Sequence, residues 1–368
     1  MRNGYILIDG NNMAYRALHA YDIEMKTSTG IPTTVIYGVL SQLAYVRSAY
    51  QGFMPLIVWD GGYTERTRIS KEAQSRGVVP SAYKENRHDP MFDGAKMVFD
   101  DQVPKVKQVL QLTNIPQIRL NGEEADDVIA SYCRKLADND KKILCFTGDH
   151  DYYQLISDKV TIVSRNRGVD TLTTMAKFVE EYGIQPSQWV DVGALSGDSG
   201  DNIFGVPSIG ETTAIELVSE YKSCEQVVWH SIEPLKPLRL EYPDLETAEE
   251  IAALVATRAD KKTNPYDGCY PGMPFSGVAW ALEQKKLKRI KRTPLYIALY
   301  HERIGVAYVL KKMRDRLSVP DLVPFDRFDP VRFEAACDEY ELNEVRHQVD
   351  RFVNLADAPE TTCVDVMT

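Results

Sequence analysis

Nine carboxylates carry the chemistry this sequence could do: Asp9, Asp60, Glu124, Asp126, Asp127, Asp149, Asp151, Asp198 and Asp201. Their spacings allow them to converge. Asp149 and Asp151 are two apart just past an apolar run, which in extended chain points both side chains the same way. Asp198 and Asp201 are three apart, so one helical turn would put both on one face. Glu124 and Asp126 bracket a predicted helix start. Hard cations such as Mg²⁺ and Mn²⁺ take oxygen ligands, and two-metal sites hold their ions about 3.5–4 Å apart to activate water and steady an in-line displacement at phosphorus. Clustered carboxylates raise one another's pKa values, so such a cluster calls for bound cations. Each pair alone reads more readily as solvated acids, caps or turn residues; Asp126 and Asp127, for instance, suit the dipole of a first helical turn. The coincidence of acids at strand ends, a helix start and a hairpin entrance favours the metal site.

The elements that must position these acids follow from periodicity. Residues 5–9 (YILID), 55–60 (PLIVWD) and 142–151 (KILCFTGDHD) are apolar runs ending in aspartates, read as buried strands. Helical patterns separate them, which predicts an α/β fold with a mostly parallel central sheet between helices. In such sheets ligands sit outside the carboxyl ends of the strands. Residues 124–137 predict an amphipathic helix with Val128, Ile129, Tyr132, Cys133 and Leu136 on its apolar face. Residues 189–221 predict helix, Gly/Pro-rich hairpin, helix. Beyond residue 222 the patterns weaken: Pro and charge clusters at 233–245 and 260–274 read as loops, and KKLKRIKR (285–292) is the most basic run.

Composition bounds the rest. A chain of 368 residues is long enough for two domains. The opening residues do not resemble a signal peptide, and no apolar run is long enough to span a bilayer, so a cytoplasmic protein without membrane attachment is expected. The cysteines, at 133, 145, 224, 269, 337 and 363, have no C-x-x-C spacing and read as core residues in a reducing compartment. A net charge of −10 does not exclude nucleic acid, because phosphate binding needs local positive charge rather than a basic total.

Seven stretches, in order, carry a family resemblance: IDGNNMAYRALHA (8–20), VIYGVLSQL (35–43), IVWDGG (57–62), YKENR (83–87), GEEADDVIAS (122–131), FTGDHDYYQLISD (146–158) and ALSGDSGDNIFGVPSIGETTA (194–214). The chain resembles the 5′-3′ exonuclease and flap endonuclease family, particularly its stand-alone bacterial and bacteriophage members. The resemblance implies a PIN-like nuclease core over residues 1–185 with a helical arch at about 61–100. It further implies a helical DNA-binding region over 186–320 with a helix-hairpin-helix at 194–221. Residues 321–368 form an extension to which it assigns no role. All nine acids fall where the family carries metal-site carboxylates. Mg²⁺, with Mn²⁺ as substitute, is the implied metal, as two ions, with K⁺ at the hairpin. Lys84 and Arg87 match a basic pair near the scissile phosphate, beside Asp149 and Asp151 in the catalytic set. Tyr83 matches an aromatic that stacks on a base, and Arg16 and His19 match phosphate contacts. Gly205, Ser208, Gly210 and Thr212 fall on the duplex-gripping hairpin. The implied substrates are DNA with 5′ flaps, nicks or free 5′ ends, and RNA–DNA hybrids, cut by a monomer in replication or repair.

The hairpin departs from the family. Ser208 stands where glycine is usual, Phe204 where proline is common and Thr212 where lysine is often found. A serine at a position needing φ > 0 is strained, and a lost lysine removes one phosphate contact. Two rivals stay open. A related metal-dependent ribonuclease would share the strand-end acids but lack the hairpin and arch. A silent DNA-junction binder would keep the fold and lose key acids.

Overall fold

The computed structural model describes residues 4–20, 25–88, 93–232, 297–298, 300–322, 328–348 and 352. The Pro and charge clusters and the KKLKRIKR run noted above lie outside these residues. The chain divides into two compact units: Met1–Thr64 with Arg87–Lys177 and Met313–Thr368, and Glu65–Asn86 with Phe178–Lys312.

The first unit is built on one six-stranded sheet. Its strands are β1 (Gly4–Asp9), β2 (Phe53–Trp59), β3 (Gln117–Arg119), β4 (Lys142–Phe146), β5 (Val160–Asn166) and β6 (Val169–Thr173), in the order β3-β2-β1-β4-β5-β6. Strands β1 to β5 pair in parallel, with Leu7 opposite both Leu56 and Cys145. β6 closes the edge as an antiparallel hairpin. The central strands are apolar on both faces, as a parallel sheet covered on both sides requires. Ile6, Ile8, Ile57, Trp59, Leu144 and Phe146 pack under α1 (Gly10–His19), α2 (Thr34–Ala49) and α4 (Asp93–Leu110). The alternate residues face the other way, where Cys145 meets Cys133 of α5 (Ala125–Asp138) at 3.4 Å between sulfurs. The five apolar residues expected on that helix are all buried.

The second unit contains α7 (Trp189–Ser196), a two-stranded hairpin of β7 (Gly197–Asp198) and β8 (Ile203–Phe204), then α8 (Glu211–Tyr221) and α9 (Cys224–Ile232). The expected helix, hairpin and helix are therefore present in order. A further helix, α10 (His301–Lys311), packs on α7.

Neither unit is one continuous stretch, which differs from the successive domains expected at 1–185, 186–320 and 321–368. Most of α3 (Thr64–Ser75) and the loop after it belong to the second unit. Ala73, Val78 and Val79 pack with Phe204 and Val306 there, and the buried Arg66 donates from Nε to the Leu310 carbonyl at 2.9 Å. Residues 65–86 of the stretch expected as an arch thus fall in the second unit, while residues 89–92 lie outside the described ones. The C-terminal extension is likewise no appendage. In α11 (Pro330–Glu339) and α12 (Asn343–Arg346), Phe333, Cys337 and Val345 join Leu342 and Phe352 in the core of the first unit. A segment this apolar on one face has to bury it somewhere, and the sheet-covering helices offer the place.

Candidate metal centre

Three adjacent strands deliver acids to one end of the sheet. Asp9 is the last residue of β1, Asp60 follows β2, and Asp149 lies three residues past β4. A fourth contribution comes from the start of α5, where Glu124 is the N-cap and Asp126 lies in the first turn. Hydrogen bonds tie these pieces together. The Asp9 carboxylate accepts from the Asn12 N–H at 2.9 Å and so caps α1. The Asp60 carboxylate accepts from the Ala125 N–H at 2.8 Å, satisfying one of the orphan donors at the start of α5. Asp60 can reach that helix because Gly61 lies flush against the preceding loop: a Cβ there would sit 1.6 Å from the Leu120 carbonyl oxygen. Gly61 also exchanges backbone hydrogen bonds with Gly122 and Glu123.

The electrostatics show that the acids confront one another. Burial, then the charge of Asp60, then that of Asp149 push the Asp9 carboxyl up to about 7, against the opposing pull of its backbone hydrogen bonds. Burial and the charges of Asp9, Asp149 and Glu124 push Asp126 well above the usual carboxylate range, while a Tyr152 hydrogen bond pulls it down. That hydroxyl belongs to a fully buried ring and donates to Asp126 Oδ1 at 2.6 Å. Among the described residues, no three His, Cys, Asp or Glu side chains are already drawn into a closed ion cage. The donor set is oxygen throughout and carries excess negative charge, which fits a hard divalent ion.

Four of the nine expected ligands are placed differently. Asp127 is 0% exposed and belongs to an ion pair: Arg314 donates from its backbone N–H to Oδ1 at 2.9 Å and from Nε and Nη2 to Oδ2 at 2.9 and 2.8 Å. The helical spacing that points Asp126 one way turns Asp127 about 100° away, toward protein. Asp151 does not extend alongside Asp149. The chain turns at once into a 3₁₀ helix over His150–Leu155, and the Asp149 carboxylate caps it by accepting from the Asp151 N–H at 2.8 Å. Asp198 and Asp201 lie in the second unit's hairpin rather than on a helical turn. Each has a lysine partner: burial pushes the Asp198 carboxyl up, but Lys311 Nζ at 2.8 Å and the backbone N–H groups of Asp201 and Gly200 together hold it below the usual range, while Lys84 Nζ is 3.7 Å from Asp201.

The expected nucleic-acid contacts also separate. Tyr83 is 5% exposed and its hydroxyl donates to Asp201 at 3.2 Å, so its ring offers no open face to a base. Lys84 is 7% exposed, with φ of 56° and its ammonium 4.8 Å from the Tyr83 ring centre. Arg87 lies within the short 3₁₀ turn Glu85–His88; its side chain is outside the described set. Arg16 is half-buried and donates from Nη2 to the Arg165 carbonyl at 2.5 Å, while His19 is exposed and edge-on to Tyr15. In the hairpin Ser208 has φ of 65°, the left-handed conformation anticipated for a position where glycine is usual. Gly205 backs directly onto Gly197, whose nitrogen lies 2.3 Å from where a Cβ would be. Gly210 caps α8, and Thr212 is exposed in its first turn.

Sequence reasoning gave no role to Tyr152, Lys311 or Arg314. Tyr152 lies within the FTGDHDYYQLISD stretch, so its neighbourhood was a signal. The other two follow long stretches without motifs.

Comparison with known proteins agrees with this architecture. Residues 4–183 match the model of the 5′-3′ exonuclease N-terminal resolvase-like domain, and residues 184–260 that of the 5′-3′ exonuclease C-terminal SAM fold. DNA polymerase I of Caldicellulosiruptor bescii is 34% identical over 68% of this chain and 28% of its own length. The thermostable DNA polymerase I of Thermus filiformis is 32% identical over 63% of this chain and 25% of its own. The chain therefore spans about a quarter of the length of the curated relatives it matches. Among solved structures, the zinc-bound T5 5′-exonuclease superposes with a TM-score of 0.54 at 17% identity, covering 95% of this chain and 99% of that one. The catalytic core of Rad2 in complex with a DNA substrate gives 0.52 at 12% identity, covering 96% and 93%. These two likenesses concern the fold. The two family models together span residues 4–260, and the chain belongs to the 5′-3′ exonuclease family.

Proposed function

We propose that this chain is a divalent-metal-dependent 5′ nuclease that hydrolyses phosphodiester bonds in DNA with 5′ flaps, nicks or free 5′ ends. One observation carries the reading: Asp9, Asp60, Glu124, Asp126 and Asp149 lie at the carboxyl ends of β1, β2 and β4 and at the start of α5, where burial and the charge of neighbouring acids push the Asp9 and Asp126 carboxyls up. These five are the residues that would hold divalent ions, Mg²⁺ or Mn²⁺. Bound there, such ions supply charge that offsets the phosphate and make water a usable nucleophile at neutral pH. The protein's own part is positional. Asp9 and Asp60 are fixed by the backbone donors they accept, and Tyr152 orients Asp126. In the second unit the first-turn N–H groups of α8 and the exposed Thr212 suit a duplex phosphate, with K⁺ as a companion ion at the hairpin. Lys84 and Arg87 complete the reading as phosphate-facing cations, Lys84 after leaving Asp201.

The helix-hairpin-helix disfavours a single-domain ribonuclease, and a silent junction binder has no use for a retained acid cluster. RNA–DNA hybrids remain within the substrate class, and a monomer acting in the cytoplasm during replication or repair accords with the family. The test is cleavage of a 5′-flap duplex with Mg²⁺. Asp9→Asn together with Asp126→Asn should abolish it, as should a chelator. Undiminished cutting under either condition rejects the proposal, as does preferential cutting of single-stranded RNA.

A further inference from the structure

The segment just after α10 runs along α5 as a strap. The Met313 N–H donates to Gln154 Oε1 at 2.9 Å. The Ser131 hydroxyl accepts from the Leu317 N–H at 3.0 Å and shares its proton between the Asp127 carbonyl at 2.8 Å and the Arg314 carbonyl at 3.1 Å. Farther along the helix, Tyr132 donates to the Pro320 carbonyl at 3.1 Å, and Lys135 donates to the Val319 carbonyl and pairs with Asp321. The strap's first turn of contacts centres on Arg314. Besides the three bonds to Asp127, its guanidinium forms an ion pair with Glu123. Glu123 and Asp127 flank Glu124 and Asp126 in sequence, so one side chain ties down both ends of the turn that carries two candidate metal ligands.

We propose that Arg314 is a positioning residue for metal binding, acting through Asp127 and Glu123 on the placement of Glu124 and Asp126. This rests on the nuclease reading above. The guanidinium does not touch the acid cluster, and its charge is spent on Asp127 and Glu123. What reaches the cluster is geometry. Two carboxylates that repel their neighbours are held by a turn pinned at Glu123 and Asp127, rather than being free to swing out. A planar fork is suited to this, because it bonds Asp127 through two nitrogens at once. Asp127 is then a partner of the clamp, which explains why an acid at a family metal position is sealed from solvent in this chain.

The test is Mn²⁺ affinity by titration calorimetry on the full chain, with folding of each variant verified by near-ultraviolet circular dichroism. Arg314→Met should weaken Mn²⁺ binding by about tenfold or more, as loss of a group behind a metal ligand typically does. Arg314→Lys keeps the charge and loses the fork, so it should fall between Arg314→Met and the parent. Where Arg314→Met fails to fold because it strands the Asp127 charge, Asp127→Asn combined with Arg314→Met removes both charges and should show the same weakening. Variants that fold and bind Mn²⁺ as the parent does overturn the clamp and leave the nuclease reading intact. A parent protein that binds no Mn²⁺ overturns both.

Discussion

At the scale of single residues, the site is governed by the cost of gathering negative charge. Burial and the charges of Asp60 and Asp149 push the Asp9 carboxyl from 3.8 up to about 7 in the fold. The folded state therefore keeps a proton that the unfolded chain has released, and between these values folding binds more protons than unfolding. The sign follows: this carboxyl costs nothing below about 4, costs increasingly as the pH climbs, and costs its full amount above about 7. Asp9→Asn preserves the α1 cap, since asparagine caps as well as aspartate. Its stability advantage over the parent, measured by urea unfolding without divalent ions, should be negligible near pH 4 and largest near pH 8, and saturating Mn²⁺ should abolish or reverse it. An advantage independent of pH would show that Asp9 does not feel its neighbours. Tyr152→Phe removes one donor to Asp126 while keeping the buried ring; we expect stability to fall by about 1 kcal/mol and turnover of flap DNA to fall with little change in KM. Unchanged turnover would reduce Tyr152 to packing. The acids at strand ends were legible in sequence because an apolar run that stops on an aspartate leaves it at the sheet's rim. Asp127 was not, since spacing places it in the right turn but cannot say that a cation from residue 314 waits on the other side.

At the scale of elements, the hairpin between α7 and α8 shows local chemistry overriding residue preference. Gly197 and Gly205 approach so closely that neither tolerates a Cβ, which fixes where the two short strands cross. Two residues beyond Val206, the chain still needs a left-handed step, and serine makes it at φ 65° with its side chain exposed. A non-glycine residue there costs about 1–2 kcal/mol. Ser208→Gly should therefore stabilise the protein, by roughly 0.5–1 kcal/mol after the added freedom of glycine in the unfolded chain is set against it. A higher urea midpoint at unchanged slope would confirm this, and a lower one would show that the serine hydroxyl contributes something the backbone angle does not. Gly205→Ala, by contrast, should disrupt the hairpin. The helix-hairpin-helix was readable from its turn residues. The 3₁₀ turn after β4 was not: extended spacing suggested that Asp149 and Asp151 point together, but Asp149 folds back to cap the next residues, a choice made by local hydrogen bonding rather than by periodicity.

At the scale of the whole molecule, the family models end at residue 260, yet both units depend on what comes later. Lys311, at the end of α10, neutralises Asp198 in the second unit. Three residues on, Arg314 neutralises the sealed Asp127 in the first. Phe333, Cys337, Leu342, Val345 and Phe352 then complete the first unit's core against α2 and α4. None of this was legible in residues 222–368, because counter-charges and core fillers from a distant segment follow no local motif. A chain cut at residue 260 should therefore not fold cooperatively. Removing the partner of one buried charge alone costs about 3–5 kcal/mol, and deleting buried aromatic side chains costs about 3–5 kcal/mol each. Against a total stability of about 5–15 kcal/mol, those losses leave nothing in reserve. Scanning calorimetry of residues 1–260 should give no cooperative transition, and near-ultraviolet circular dichroism should be featureless. Were that piece instead to melt sharply near the full-length midpoint, the later residues would be ornaments on a self-sufficient nuclease fold, and the counter-charges of Lys311 and Arg314 would have to be supplied by something else.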